Sequence, residues 1–234
     1  MLEAGFWGLV AGASLVLGAA LGIWLPIPRR IVALVMGFGA GALVSALAFD
    51  LTAEAFEEGG AALTAIGLAA GGLTFFIGDV LIESGAGKAG AAGLAIALGA
   101  LLDGLPESFV LGASVLGGAG VSVSFLVAVL LSNLPEGLAG ARDMRAGGHS
   151  RPWILGLWTG VAIASGVAAA IGFALIGSMA GEPQGLAKAF AAGAILTMLA
   201  DTMFPEAYET GGKGVGLATL LGFALAFFLS ATPQ

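Results

Sequence analysis

The chain has 234 residues, of which 59% are hydrophobic and only 10% charged, and its mean hydropathy is +1.04. This composition excludes a soluble globular protein and is typical of an integral membrane protein. The net charge of −7 gives no basis for nucleic-acid binding, and the lack of cysteine excludes disulfides and thiolate metal sites.

Apolar runs long enough to cross a bilayer follow one another along the whole chain. A transmembrane helix needs about 20 mostly apolar residues, and breaks rich in Gly and Pro separate the runs. The first run starts with the acidic Met1-Leu2-Glu3, so we expect it to be retained rather than removed as a signal peptide. We predict an all-α integral membrane protein, a single domain over 1–234, with eight transmembrane helices at 4–25, 31–53, 61–82, 91–115, 120–142, 153–178, 186–208 and 214–231.

The distribution of basic residues predicts the orientation. When the loops are assigned alternately to the two sides, Lys188 is alone on its side among the eight Lys and Arg residues. Because short cytoplasmic loops carry the excess of Lys and Arg, we predict a multi-pass protein of the cell (inner) membrane with both termini outside the cytoplasm. The predicted cytoplasmic residues are Arg29, Arg30, Lys88, Arg142, Arg145, Arg151 and Lys213.

An internal repeat relates the second and seventh predicted helices. Residues 40–60 (AGALVSALAFDLTAEAFEEGG) and 192–212 (AGAILTMLADTMFPEAYETGG) are identical at ten of 21 positions, at an offset of 152. Helices an odd number of spans apart cross the membrane in opposite directions. We therefore predict a 3+2+3 inverted repeat, with helices 1–3 (4–82) and 6–8 (153–231) around a central pair (91–142), a pattern typical of secondary transporters.

The tripeptide Leu-Pro-Glu occurs twice in the central pair, in DGLPESFVLG at 103–112 and in SNLPEGLAGA at 132–141. In the first copy Asp103 and Glu107 share a helix face at a spacing of four. In the second copy Ser132 and Glu136 share one, with Asn133 alongside. A charge at the bilayer centre costs roughly 2.5–3.5 kcal/mol, so these carboxylates need a cation or protons as compensation.

Each proline adds an oxygen acceptor at the same level. Pro106 cannot donate to the carbonyl of Leu102, and Pro135 cannot donate to that of Leu131. Carboxylates, an amide and freed carbonyls at one depth predict a cation site shared by the two helices.

Further acids lie toward the helix ends. Asp50 and Glu54 are predicted at the outer end of helix two, and Asp201 and Glu206 toward the inner end of helix seven. They would mark an entrance and an exit for the cation, or they are simply solvated helix ends.

These features resemble the Zrt/Irt-like (ZIP) family of divalent metal transporters. That family has eight helices, outward termini, a 3+2+3 inverted repeat and a metal centre on motifs of the type His-Asn-x-Pro-Glu-Gly. SNLPEG (132–137) matches five of those six positions, and DGLPES (103–108) keeps the Pro-Glu core. The stretch 192–207 is similar to the family's seventh helix.

The resemblance implies a metal site made of Asp103, Glu107, Asn133 and Glu136. Where the family commonly has histidine, this chain has Asp103 and Ser132, and its only histidine, His149, is in a predicted loop. Such oxygen ligands suit Mn²⁺, Mg²⁺ or Ca²⁺ better than zinc, although carboxylates bind zinc as well. The resemblance implies zinc as the transported ion, and the oxygen ligands make Mn, Fe or other hard ions possible. Cd is a further candidate, and no cofactor is expected.

Two other functions are weighed against a transporter. The first is a ZIP-like relative that lost transport and keeps a structural or metal-sensing role, because the motif histidines are missing. The second is an intramembrane hydrolase using two carboxylates, such as Asp103 and Asp201, but no known catalytic motif supports an enzyme. The expected partners are divalent metal ions and the lipid bilayer, and Gly37 with Gly41 would serve either a homodimer or internal helix packing.

Overall fold

The computed structural model describes residues 1–86, 92–116 and 120–231, and every regular element within these ranges is helical. The all-α prediction is therefore confirmed. Lys88 and the start of the predicted helix 91–115 lie outside the described residues. The α-helices are α1 (Leu2–Trp24), α2 (Arg29–Ala46), α3 (Thr52–Ala86), α4 (Ala92–Ser114), α5 (Val123–Ala146), α6 (Arg151–Gly177), α7 (Glu182–Met198), α8 (Phe204–Gly211) and α9 (Gly214–Ser230).

The described helices have the length and apolarity of membrane spans. Six of the stretches within these ranges are long and apolar enough to cross a membrane, and α9 is a shorter apolar helix. The protein is therefore a helical membrane protein. The six stretches are Leu2–Trp24, Arg29–Ser84, Ile96–Ser114, Val123–Ala146, Arg151–Gly177 and Glu182–Gly211.

Two π-helical segments interrupt the helices at related places. Leu47–Leu51 joins α2 to α3, and Leu199–Met203 joins α7 to α8. Such π-turns are rare in proteins, and those that occur are frequently found at functional sites. Past each π-turn lies a glycine with positive φ, Gly60 at 69° and Gly212 at 60°. Both pairs of landmarks are separated by 152 residues, which is the offset of the sequence repeat.

The helices pack in two sets of neighbours. In one set α1 packs on α5 and α6, and α4 also packs on α6. In the other set α2 packs on α9 and α3 packs on α7, and α2 joins the two sets through α5. The contacts are made largely by small residues, which let backbones approach closely as in other membrane proteins.

Glycines at the helix crossings leave no room for a side chain. A Cβ atom at Gly222 of α9 would collide with the carbonyl oxygen of Phe38 on α2, and one at Gly71 of α3 would collide with that of Phe190 on α7. Phe38 and Phe190 are separated by the repeat offset of 152 residues, and Gly71 and Gly222 are separated by 151. Close backbone contact therefore fixes where α2 meets α9 and where α3 meets α7.

The substitution Gly222→Ala tests this packing. Because the new methyl group would press on the Phe38 backbone, we expect a loss of about 1–3 kcal/mol, as for other overpacked sites, seen as a lower melting temperature in detergent. Gly216→Ala on the same helix is the control, since no atom of another helix among the described residues lies within 4 Å of its Cβ position. An equal effect of both substitutions would contradict the crossing geometry.

Candidate metal centre

The two Leu-Pro-Glu helices run antiparallel, with their motifs facing each other. The end of α4 and the start of α5 are tied by the backbone N–H of Ser122, which donates to Ser114 Oγ at 3.1 Å. Pro106 and Pro135 both lie inside continuous helices. In two antiparallel helices, moving forward along one corresponds to moving backward along the other. Two residues, one from each helix, therefore stay at matching depths as long as the sum of their residue numbers is constant. Glu107 is thereby level with Ser132, and Asp103 is level with Glu136.

The first level contains Glu107 and Ser132, each only 2% exposed. Ser132 Oγ lies 3.5 Å from Glu107 Oε1 and 3.0 Å from the carbonyl oxygen of Val129. The hydroxyl has one proton, and its shorter contact is with the backbone. The Glu107 carboxylate therefore receives at most one weak hydrogen bond from Ser132.

The second level contains Asp103 and Glu136. Both are half-buried, and the Glu136 carboxylate lies within electrostatic range of the carboxylates of Asp103, Glu107 and Glu206. The two levels are separated by four residues, which is about 6 Å along a helix. The acids are thus spread over two depths.

Two carboxylate oxygens of this centre are buried without a hydrogen-bond partner among the described residues, Glu107 Oε2 and Glu136 Oε1. A buried acceptor without a partner costs about 1–3 kcal/mol, and more when it is charged. A proton or a cation bound at these oxygens would offset that cost.

Asn133 is 3% exposed and connects the centre to α1. Its Nδ2 donates to the carbonyl oxygen of Ala11 at 3.1 Å, an oxygen that also accepts from Ser14 Oγ at 2.6 Å. The amide nitrogen is thus used to hold α5 against α1, and the amide oxygen is the atom that Asn133 would offer to a cation.

The four residues of the implied ligand set do not form an assembled metal site. Over residues 1–86, 92–116 and 120–231, no group of three or more His, Cys, Asp or Glu side chains is placed to hold a metal ion. Glu107 is buried beside Ser132, and Asp103 and Glu136 each lie four residues away along their helices. Glu107 and Ser132 come together, and the Glu136 carboxylate lies within electrostatic range of Asp103 and Glu107.

A cavity of about 660 Å³, here called the Asp50 cavity, opens on one side of the centre. Asp50 accepts hydrogen bonds from Ser124 Oγ of α5 at 2.7 Å and from Ser230 Oγ of α9 at 2.5 Å. Glu54 lines the same cavity and pairs with Lys188, as described below.

A second cavity of about 330 Å³, the Glu206 cavity, opens on the other side. It is lined by Glu206, Glu209 and Asp143 together with Arg29 and Arg142. Helix α5 lines the Asp50 cavity with Ser124 and the Glu206 cavity with Ala139. The stretch from Ser132 to Glu136 lies between these two positions, so the carboxylates of the centre are placed between the cavities.

Asp201 lines neither of these two cavities, although it lies in a π-helical segment like Asp50. The repeat offset pairs Asp50 with Thr202 and pairs Asp201 with Phe49. Phe49 is exposed and contacts the rings of Phe223 and Phe227, and Asp201 is exposed as well. Phe49 itself lines the Asp50 cavity, so the repeat offset alone does not account for the exposed position of Asp201.

Three residues that shape the Asp50 cavity were not predicted from the sequence: Lys188, Ser124 and Ser230. Lys188 could have been found, because it is the single basic residue on its predicted side. Ser124 lies among small and apolar residues near the start of α5, and Ser230 lies near the end of the chain. Neither serine has a sequence signal, because each acts through a contact with a residue more than 70 positions away.

The fold and the centre define the class of this protein as a helical membrane protein with buried carboxylates between two polar cavities. No protein-family model matches the chain, and the comparison with curated protein sequences found no match. The geometry of the centre is therefore the basis for the proposed function.

The substitution Asn133→Asp tests the contact between α5 and α1. It removes the donor and places a carboxylate oxygen against the Ala11 carbonyl, so we expect a loss of about 1–3 kcal/mol, measured as a lower melting temperature in detergent at neutral pH. Ser14→Ala removes only a bond within α1 to the same oxygen and should cost less. A larger effect of Ser14→Ala would show that Asn133 does not hold the helices together.

Proposed function

We propose that the protein is a divalent metal transporter, similar to the ZIP family, that moves cations through the centre on α4 and α5. The observation that carries the proposal is the pair of buried, unpartnered carboxylate oxygens on Glu107 and Glu136. They lie between two cavities that each contain further carboxylates. A cation passing from one cavity to the other would meet acids along its whole route.

We further propose eight transmembrane helices in a 3+2+3 inverted repeat. The apolar stretch Arg29–Ser84 has 56 residues, about 84 Å of helix, which far exceeds a hydrocarbon core of about 30 Å. The non-helical backbone at Gly60 divides it into two spans, and α9 is the eighth. The recurrence of the π-turns and of the positive-φ glycines at an offset of 152 supports the repeat.

Transport by this arrangement is alternating access. The two repeats can adopt two unequal conformations, of which one opens the centre to the Asp50 cavity and the other to the Glu206 cavity. Asp103, Glu107 and Glu136 supply charge, and Asn133 and Ser132 supply neutral oxygens. Asp50 and Glu54 lie at the entrance and Glu206 lies at the exit, in an inner membrane with both termini outside the cytoplasm.

The donor set favours hard cations. The centre offers only oxygen atoms, and His149 stacks on the ring of Trp153 at 4.1 Å in the α5–α6 connection. Carboxylates and carbonyls suit Mn²⁺ and similar ions, whereas zinc is the ion that the family resemblance implies. Iron and cadmium complete the set to be tested.

Flux measurements in liposomes test the transporter proposal. We expect saturable uptake of at least one ion among Zn²⁺, Mn²⁺, Fe²⁺ and Cd²⁺, reported by an enclosed metal-sensitive dye. Asp103→Asn and Glu136→Gln should each reduce it by at least about tenfold, because each removes charge that would offset the cost of carrying a cation across the bilayer.

The matched control is Glu57→Gln, an exposed acid outside both cavities, which should transport normally. Metal binding without flux would favour the non-transporting relative, for which the unassembled ligand set is the specific support. The intramembrane hydrolase is less favoured, since Asp201 is exposed and lines neither cavity next to the centre.

Cysteine labelling tests the eight-helix topology, and the natural absence of cysteine provides a clean background. In intact cells we expect a membrane-impermeant maleimide to label Glu57→Cys and Met179→Cys. His149→Cys and Lys213→Cys should be labelled only after permeabilisation. Labelling of Glu57→Cys only after permeabilisation would rule out a turn at Gly60 on the outer side.

A further inference from the structure

Lys188 of α7 forms the two ion pairs found among the described residues. Its Nζ lies 2.8 Å from Glu54 Oε2 and 2.7 Å from Glu58 Oε1, both on α3. The Lys188 side chain is only 9% exposed, while that of Glu54 is 57% exposed. An ammonium group is thus held inside the wall of the Asp50 cavity, which it lines together with both glutamates.

The equivalent positions in the other repeat lack this ammonium. The offset of 152 pairs Lys188 with Met36, Glu54 with Glu206, and Glu58 with Thr210. Met36, Glu206 and Thr210 all line the Glu206 cavity. The two cavities therefore share these three equivalent positions, and at the first of them one cavity has a cation where the other has a thioether.

The comparison separates the electrostatic effect of Lys188 from its packing. Methionine occupies the equivalent position on α2, buried at 4% exposure, so the fold accepts an uncharged side chain of similar length there. The ammonium adds a positive charge to a cavity whose other charged residues are Asp50, Glu54 and Glu58. Each positive charge in a cleft lowers the local concentration of cations.

We propose that Lys188 is a built-in counter-ion that weakens the attraction of the Asp50 cavity for divalent cations, so that Lys188 sets the affinity of this mouth of the transporter. The inference rests on the proposed function. The Lys188 ammonium neutralises part of the negative charge of Glu54 and Glu58. A metal ion that enters the cavity then meets Asp50 as the acid that has no cationic partner among the described residues.

The substitution Lys188→Met, which copies the equivalent residue, tests the role of the charge. Removing one positive charge near a divalent cation should lower KM for Mn²⁺ added on the Asp50 side by about threefold or more. The double substitution Glu54→Gln/Glu58→Gln keeps Lys188 and should raise this KM by a similar factor. Lys188→Arg should resemble the wild type, and so should Lys213→Met, which removes a lysine outside both cavities.

A KM that falls in Lys188→Met and rises in the double substitution would distinguish an electrostatic role of Lys188 from a structural one. If Lys188 only ties α3 to α7, breaking the ion pairs from either side should impair transport in the same direction. The difference in KM should also shrink as the salt concentration is raised, because the Debye length falls from about 10 Å at 0.1 M to about 3 Å at 1 M. A KM that is unchanged in Lys188→Met would overturn the proposal.

Equilibrium binding separates failure of this inference from failure of the transporter proposal. Mn²⁺ binding to the purified protein, followed through the electron paramagnetic resonance signal of free Mn²⁺, requires no flux. Tighter binding by Lys188→Met together with weaker binding by the double substitution would support the counter-ion role even if no ion is transported. Equal binding by all the folded variants would contradict it.

Discussion

Two apolar helices in a lipid bilayer gain nothing from the hydrophobic effect when they pack together, because lipid tails are as apolar as leucine. Their packing depends on close van der Waals contact, and here glycine makes that contact with backbone carbonyls. Gly18 of α1 lies against the carbonyl of Leu134 on α5, and Gly172 of α6 lies against that of Phe109 on α4. These contacts hold the two Leu-Pro-Glu helices and fix the depth of their polar residues.

The antiparallel arrangement then determines how the acids meet. A spacing of four on both helices gives one level with Glu107 and Ser132 and another with Asp103 and Glu136. Each level has an oxygen that the described residues leave without a partner. The van der Waals packing energy of the glycine contacts must therefore offset the cost of the buried polar centre, which is unfavourable in the absence of a cation or a proton.

The sequence was sufficient to predict the elements that depend on local pattern. The helical class and the presence of long apolar spans could be predicted because composition carries them, and the shared face of Asp103 and Glu107 follows from helical periodicity. The two levels could not be predicted, since they depend on which glycines meet which carbonyls. The contact of Lys188 with Glu54 joins residues 134 positions apart, and no local signal indicates it.

The repeat also explains why equivalent positions need not have equivalent chemistry. The π-turns recur at the same offset, yet the acid of one is Asp50 and that of the other is Asp201, one step apart in the aligned copies. Asp50 accepts hydrogen bonds from Ser124 and Ser230, whereas Asp201, one step away in the aligned copies, is exposed. Equivalent positions of the sequence repeat thus line both cavities, and the charges at those positions are unequal.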